Sequence, residues 1–241
     1  QAARTGKPAL AAAGTLPSGS SDHVRLTVLS IIFRACGLPE QYAQAQFCFW
    51  LRDQGFLDRV RGAVEDAGKN WERELNNLYV SGLIAKAVLQ CDPNFARDEK
   101  EARQVLRERF PNASSDISTA QFLAACREAL AQDGELPLTV LILDEVQQYI
   151  GDSTDRAVVI TEIAEAIQTQ LDSRVVLVAS GQSALSGTPL LQKLKDRFLI
   201  VAQLSDTDVE AVTRKVLLHK KASTVEQIRS ALDRNAGEVS R

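Results

Sequence analysis

The chain has 241 residues, of which 45% are hydrophobic and 24% are charged, so its composition is that of a folded protein rather than a disordered one. Its 28 Lys and Arg residues and 31 Asp and Glu residues give a net charge of −3, which excludes a uniformly basic nucleic-acid binder but not a local basic patch. No apolar run approaches the roughly 20 residues of a membrane-spanning helix. We expect no membrane contact and one large core or two smaller ones.

The cysteines and histidines argue against a zinc site or a disulfide framework. Cys36, Cys48, Cys91 and Cys126 are far apart, and only two histidines are present. We expect four reduced, partly buried thiols in a cytoplasmic protein, since the N-terminus lacks the apolar segment of a signal peptide. The sequence contains no methionine. We therefore expect an internal piece of a longer protein, unless selenomethionines are missing from the written sequence.

Residues 1–38 are predicted to form the early part of an α/β core. An apolar stretch over 8–13 suits a strand or one helical turn, and turn-forming residues follow it. Asp22 suits the N-cap of a helix over 24–35, in which apolar residues recur at helical spacing. Gly37 then closes this helix, because glycine readily adopts the left-handed conformation.

Residues 39–132 are predicted to form a helical insertion. Pro39 suits the first turn of a helix, and an amphipathic helix is predicted across 75–87. Ser118 and Gln121 form a capping-box pattern that opens a later helix. Both tryptophans and most phenylalanines lie in this region, where we expect them to pack between helices. The insertion is a candidate surface for binding partner proteins or DNA.

Residues 133–204 are predicted to alternate between strands and helices. The expected elements are strands over 137–143, 174–179 and 198–202, and helices over 156–171 and 189–196. Continuous apolar runs of this kind are typical of parallel strands buried on both faces. The order β-α-β-α-β predicts a parallel sheet with right-handed crossovers.

Residues 205–241 are predicted to form a helical lid with helices over 206–221 and 224–235. The first of these carries a basic cluster, namely Arg214, Lys215, His219, Lys220 and Lys221. Helical spacing places part of the cluster on one face, which could contact DNA phosphates. A solvated face is the more common reason for such a run.

The first strand of the 133–204 region runs into two acids. Leu141-Ile142-Leu143-Asp144-Glu145 has the form of a Walker B motif. Asp144 at the carboxyl end of the strand would hold Mg²⁺ through its water shell, and Glu145 would orient and deprotonate the water that attacks the γ-phosphate of ATP. The alternative is that the pair only ends the strand and begins a polar loop.

Four further residues resemble nucleotide-sensing positions of AAA+ ATPases. Ser180 and Gln182 follow the next strand, as sensor 1 does, and either could contact the γ-phosphate or the attacking water. Arg197 precedes a phenylalanine as an arginine finger does, and Arg241 lies where a sensor 2 arginine is found. The alternatives are a Gly/Ser turn for the first two residues and a surface ion pair for Arg197.

A Walker A motif, G-x-x-x-x-G-K-[ST], does not occur in the sequence. The Gly6-Lys7 pair has no strand before it and no first glycine at the right spacing, and Pro8 replaces the hydroxyl residue. We expect the first strand and the P-loop, whose backbone N–H groups cradle phosphates, to lie upstream. The chain by itself should then bind nucleotide poorly.

Several segments carry a resemblance to one family. They read GTLPSGSSD at 14–22, LILDEVQQYI at 141–150, SGQSALSGTP at 180–189 and LSDTDV at 204–209. These segments resemble the BrxC/PglY-type P-loop ATPases of bacteriophage exclusion (BREX) defence systems. The resemblance covers most of the chain, and the segment at 180–189 is its most specific part.

The resemblance implies an AAA+-like P-loop NTPase core in a very large cytoplasmic protein. It implies ATP and Mg²⁺ as cofactors, Asp144 and Glu145 as the Walker B pair, and a homo-oligomer as the full-length state. The implied partners are a DNA methyltransferase, a phosphatase-like protein and other BREX components, with DNA contacted directly or through them. The second hypothesis is a non-catalytic, ATPase-like scaffold. A hydrolase built on Ser and His is disfavoured, because no G-x-S-x-G occurs.

Overall fold

The computed structural model describes residues 9–16, 23–132 and 134–181, and seven residues further along the chain. Those seven are Phe198, Ile200, Thr213, Lys215, Arg229, Ser230 and Arg234. The chain divides into two units, Gln1–Leu199 and Ile200–Arg241. The first unit contains the candidate site.

The described part of the first unit is an α/β fold with three strands and nine helices. In chain order they are β1 (Ala9–Thr15), α1 (Val24–Ala35), α2 (Tyr42–Asp53), α3 (Leu57–Asp66), α4 (Trp71–Asn76), α5 (Gly82–Cys91), α6 (Glu99–Arg109), α7 (Thr119–Leu130), β2 (Leu138–Asp144), α8 (Val146–Ile150), α9 (Thr154–Gln170) and β3 (Val175–Ala179).

The strands form one parallel sheet in the order β1-β2-β3. Ala12 is paired with Leu141, and Leu141 with Leu177. The predicted parallel β-α-β arrangement is confirmed for β2, α9 and β3. Of the strand and the helical turn left open for residues 8–13, the structure shows the strand, since β1 occupies most of that stretch.

Among the described residues, helices cover one face of the sheet and the other face is partly open, so the prediction of strands buried on both faces is wrong. Side chains alternate along β2, with Thr139, Leu141 and Leu143 buried and the residues between them half-buried. On β3, Val176 and Val178 are 49% and 41% exposed. A continuous apolar run in the sequence does not distinguish a strand that is buried on both faces of a sheet from one whose second face is apolar but open to solvent.

The covered face of the sheet packs against α1, α7, α8 and α9 in one hydrophobic cluster, here called the sheet core. Its large buried members include Leu16, Leu29, Ile32, Phe33, Phe49, Phe122, Leu141, Leu143, Tyr149, Ile160, Ile163 and Ile167. Phe198 is partly buried against the same cluster. The sheet core supports the ends of β2 and β3, where the predicted site residues lie.

Helices α2 to α6 enclose a second cluster, here called the aromatic core. Its buried members are Phe47, Cys48, Leu51, Val60, Val64, Leu75, Leu78, Ile84, Ala87, Val88, Leu106 and Phe110. Trp50 packs among Phe47, Phe56, Phe95 and Phe110 at ring-centroid distances of 5.4 to 6.2 Å. The Arg109 guanidinium lies 4.8 Å from the centre of the Trp50 ring. The expectation that these aromatic residues serve helix packing is confirmed.

The first turn of α1 is capped from a distant part of the chain. The two carboxylate oxygens of Asp116 accept hydrogen bonds from the backbone N–H groups of Arg25, at 3.1 Å, and Leu26, at 3.2 Å. The residue at the N-cap is His23, whose side chain makes no cap hydrogen bond. The predicted cap Asp22 lies outside the described residues. Local sequence could not identify Asp116, because it lies about 90 positions away.

Helix boundaries were predicted with mixed success. The helix at 24–35 is confirmed, and Gly37 adopts the expected left-handed conformation with φ +70°. The Ser118–Gln121 capping box is confirmed in both directions. Pro39 is wrong as a first-turn residue, because α2 begins at Tyr42.

The single helix predicted across 75–87 is wrong, because the chain is divided there into α4 and α5. The break is made by Ser81, whose hydroxyl accepts a hydrogen bond from the N–H of Ile84 at 3.1 Å and caps α5. Apolar spacing alone did not reveal this cap.

The predicted helix at 189–196 lies outside the described residues. Of the strand predicted at 198–202, only Phe198 and Ile200 are described, and neither is in a strand. In the second unit, Thr213 and Lys215 are helical, and so are Arg229, Ser230 and Arg234. The Arg234 Nε donates to the Ser230 carbonyl at 3.1 Å, one helical turn away. These residues fit the two predicted helices, whose remaining residues are not described.

All four cysteines are free thiols. Cys48 and Cys126 are buried, whereas Cys36 and Cys91 are half-buried. Burial raises the pKa of Cys48 to about 12 and raises the pKa values of Cys36 and Cys126. Within the described part of the chain, no helix is both long and apolar enough to cross a bilayer.

Candidate functional site

The two acids of the predicted Walker B motif lie at the carboxyl ends of adjacent parallel strands. Asp144 is the last residue of β2 and is exposed, and Glu145 follows it and is half-buried. Ser180 follows the end of β3 and is also exposed. This is the edge at which open parallel sheets bind ligands. Residues 36 positions apart in the chain are thereby brought together.

Ser180 joins the ends of the two strands. Its hydroxyl donates a hydrogen bond to the Asp144 carboxylate oxygen Oδ1 and accepts one from the Glu145 N–H at 3.3 Å. Its carbonyl accepts the N–H of Val146 at 3.1 Å, and its own N–H donates to the Leu143 carbonyl at 3.0 Å. One serine therefore holds both acids in a fixed relation to β3.

Glu145 has a left-handed backbone conformation, with φ 56° and ψ 35°. This region is uncommon for a residue with a Cβ and costs of the order of 1 kcal/mol. The conformation lets β2 turn directly into α8, because the Glu145 carbonyl already accepts the N–H groups of Gln148 and Tyr149. Its own N–H is held by Asp144 Oδ1 at 3.0 Å. Strained residues of this kind often occur at functional sites.

The Glu145 carboxylate has a partner that the sequence did not reveal. The side-chain amide of Gln148 donates a hydrogen bond from Nε2 to Glu145 Oε1 at 3.1 Å. The only signal in the sequence was a Glu and a Gln three residues apart at the start of a short helix. That spacing places two side chains on the same side of a helix turn.

The residues present fit a magnesium ion held with a nucleotide rather than by protein alone. Asp144 offers a carboxylate whose Oδ1 takes the Ser180 hydroxyl and the Glu145 N–H, and its Oδ2 makes no hydrogen bond to a described residue. No group of three or more His, Cys, Asp or Glu residues is clustered within the described ranges. Mg²⁺ commonly uses one or two carboxylates and completes its shell with water and phosphates.

The structure brings three of the predicted site residues together, namely Asp144, Glu145 and Ser180. Gln182, Arg197 and Arg241 lie outside the described residues. Their suggested roles as sensor 1, arginine finger and sensor 2 stay predictions. The roles of the three residues that meet also stay predictions, because their proximity does not identify what they bind.

An open cavity of about 730 Å³ lies elsewhere, at the amino end of β3. It is lined mainly by polar residues of α9, including Glu162, Glu165 and Gln168, together with Thr119 and Ser173. Since Ser173 precedes β3 and Ser180 follows it, the cavity is at the opposite end of that strand from the acids.

Comparisons with models of known protein families and with solved structures found no match to this chain.

Proposed function

We propose that this chain is part of an AAA+-like P-loop ATPase, in which Asp144 and Glu145 act at a triphosphate whose P-loop is supplied by an upstream segment. The observation that carries the proposal is the joining of these two acids to Ser180 at the carboxyl ends of two adjacent parallel strands. Mg²⁺ takes oxygen ligands, and a γ-phosphate takes hydrogen-bond donors. At this edge Asp144 supplies a carboxylate, and Ser180 supplies a hydroxyl that bonds Asp144 in this structure.

The face of the sheet that no described helix covers, here called the bare face, supports the same proposal. Both crossovers, β1 to β2 and β2 to β3, step across the sheet in one direction, so right-handed connections place their helices on one face. Two apolar rows remain on the other face, Ala11–Val140–Val176 and Ala13–Ile142–Val178. We place a strand from upstream of β1 beside β3 and connect it to β1 by a helix. This connection would cross the sheet in the direction opposite to the other two, so its helix would cover the bare face. The carboxyl end of the added strand would lie next to Ser180.

Each residue of the site has a chemical task in this proposal. Glu145 accepts a proton from the water that attacks the γ-phosphorus, while the bond from that phosphorus to the ADP oxygen breaks. Asp144 holds the water shell of Mg²⁺, and the ion neutralises charge on the phosphates when it is bound. Ser180 keeps Asp144 and the backbone of Glu145 in place and can donate to a phosphate oxygen only by releasing Asp144.

The biological setting of the proposal rests on the resemblance to BrxC/PglY-type ATPases. In that setting the full-length protein is cytoplasmic and homo-oligomeric. ATP binding and hydrolysis are coupled to assembly or to DNA-directed activity with a methyltransferase, a phosphatase-like protein and other phage-defence components. DNA is contacted directly or through those partners.

The decisive experiment replaces the general base in the full-length protein. We expect Glu145→Gln to lower the ATP turnover rate by about 10²- to 10³-fold, since a positioned general base contributes an effect of that size. ATP should remain bound and unhydrolysed, because the neutral amide leaves the magnesium and phosphate contacts intact. The measurements are phosphate release under saturating ATP and recovery of bound nucleotide after gel filtration.

Glu65→Gln is the matched control. Glu65 pairs with Arg61 on the surface of α3, so the same chemical change there should leave turnover unaltered. If Glu145→Gln turns over ATP at the wild-type rate, the catalytic assignment is refuted. If the full-length wild type neither binds nor hydrolyses ATP, the scaffold hypothesis replaces it.

A further inference from the structure

We infer that Gln148 is a positioning residue that holds the carboxylate of Glu145 in the orientation used for catalysis. This inference rests on the proposed ATPase function. It adds a residue that has no place in the motif itself and acts through Glu145 rather than on the substrate.

The backbone of Glu145 is already fixed by its neighbours. Its N–H is held by Asp144 and Ser180, and its carbonyl is held by the first turn of α8. The side chain of a glutamate nevertheless keeps three rotatable bonds, whose ordering costs side-chain entropy. Within the described residues, the only side chain that bonds the Glu145 carboxylate is Gln148.

The contact between Gln148 and Glu145 leaves the carboxylate able to work as a base. The amide of Gln148 engages Oε1 only, and the other oxygen, Oε2, makes no hydrogen bond to a described residue. Asp144 is held in a similar way, with Oδ1 engaged by Ser180. Each acid of the site thus has one oxygen held by an uncharged donor. Holding a reacting group in place can be worth two orders of magnitude in rate, so losing one such hydrogen bond should have a measurable effect.

Gln104 and Glu108 supply a matched control within the same chain. The Gln104 amide donates to Glu108 Oε1 at 2.9 Å on the surface of α6, far along the chain from the site. The pair has the same two side chains and a nearly equal donor–acceptor distance. Any effect specific to Gln148 must therefore come from its place beside the site.

The kinetic test uses the full-length protein and the variants Gln148→Leu, Gln148→Lys and Gln104→Leu. We expect Gln148→Leu to lower kcat about tenfold with the KM for ATP unchanged, because the substrate contacts remain while the base is less ordered. Gln148→Lys retains a donor within reach of Glu145 and should recover most of the lost kcat. Gln104→Leu should match the wild type. A wild-type kcat in Gln148→Leu would overturn the inference, as would equal losses in the Leu and Lys variants.

A second readout does not depend on activity. In the NMR spectrum of the 241-residue chain, the Gln148 side-chain amide should shift in Glu145→Ala, just as the Gln104 amide should shift in Glu108→Ala. An unmoved Gln148 amide would overturn the inference even if catalysis is impaired. The proposed function fails separately, if Glu145→Gln leaves turnover at the wild-type rate. If Gln148→Leu has wild-type activity while the separate variant Glu145→Gln is inactive, only the role of Gln148 is overturned.

Discussion

The sheet core and the aromatic core differ in what they support. The sheet core is mostly aliphatic and underlies the ends of β2 and β3, where Asp144 and Ser180 meet. The aromatic core is enclosed by α2 to α6 and has none of the predicted site residues among its members. Helix α2 contributes to both, with Phe49 in the sheet core and Phe47 in the aromatic core.

Because of this difference, we expect substitutions in the two cores to affect the protein differently. A cavity in the sheet core should move the acids, because the buried residues of β2, which pack in that core, lead directly into Asp144 and Glu145. A cavity in the aromatic core should lower stability without altering the site. Coupling between the cores can pass through α2, where the rings of Phe33 and Phe49 pack edge to face at 5.8 Å.

The largest expected effect is that of a cavity in the aromatic core. Phe47 is fully buried against Trp50 and Phe110, so Phe47→Ala should lower the free energy of unfolding by about 3–5 kcal/mol. Urea unfolding followed by tryptophan fluorescence measures this, since Trp50 lies in the same cluster. Hydrogen exchange of β2 should remain slow at urea concentrations where α3 to α6 exchange freely.

Leu143→Ala is the counterpart in the sheet core. Leu143 is fully buried and directly precedes Asp144, so the cost of about 2–5 kcal/mol should be accompanied by faster exchange of β2 and β3. If Phe47→Ala accelerates exchange at β2 as much as Leu143→Ala does, the two cores unfold together. The contrast drawn between them would then be wrong.

A smaller effect is expected at the junction between α1, α7 and α9. The Arg25 side chain is only 11% exposed and pairs with Asp116 and Glu162, while also bonding Thr119. Arg25→Ala should cost about 2–3 kcal/mol, because Asp116 loses a buried partner, although Glu162 is half exposed and contributes less.

The matched control for Arg25 is the exposed Arg61–Glu65 pair on α3. Arg61 is 56% exposed, and Arg61→Ala should leave the urea midpoint close to that of the wild type. Equal shifts for Arg25→Ala and Arg61→Ala would show that the junction does not stabilise the first unit.

The smallest expected effect is measured by chemical labelling of the native thiols, which report on the two cores. Cys48 belongs to the aromatic core and Cys126 to the sheet core. Burial raises both pKa values, that of Cys48 to about 12, so near pH 8 each is a protonated, unreactive thiol in the folded chain. A disulfide reagent should therefore modify half-buried Cys91 first, and Cys48 and Cys126 only after unfolding.

The same thiols give a sign for the pH dependence. A raised pKa means that the thiol is neutral in the folded state at a pH where it begins to ionise in the unfolded state. The contribution of the buried thiols to folding stability is therefore present below the unfolded pKa of about 8.5 and is lost as the pH rises above it.

In Phe47→Ala, labelling of Cys48 should accelerate while that of Cys126 does not, as peptide mass spectrometry can measure. Parallel acceleration of both would indicate a single cooperative unit.

Local patterns predicted the parts of the fold that depend on neighbours in sequence. Helix α1 was predicted at its observed bounds, because its apolar residues recur at helical spacing and Gly37 ends it. The capping box at Ser118 and the strands β2 and β3 follow from equally local signals. The division of 75–87 into two helices was missed, because one serine cap outweighs a continuous apolar spacing.

The candidate site was predicted in part for the same reason. A run of apolar residues ending in Asp144 and Glu145 is a local signal, and so is the polar end of the next strand at Ser180. The Gln148 contact, the left-handed conformation of Glu145 and the capping of α1 by Asp116 depend on geometry that a pattern of residue types does not carry.

By itself, the sequence determined the alternation of strands and helices and the two acids at a strand end, because both are set by side chains a few positions apart. Tertiary structure alone decided which face of the sheet is covered, how the chain forms two cores, and which serine holds the acids. Those features arise from packing between segments tens of residues apart, where chain crossovers and burial, rather than local preference, set the free energy.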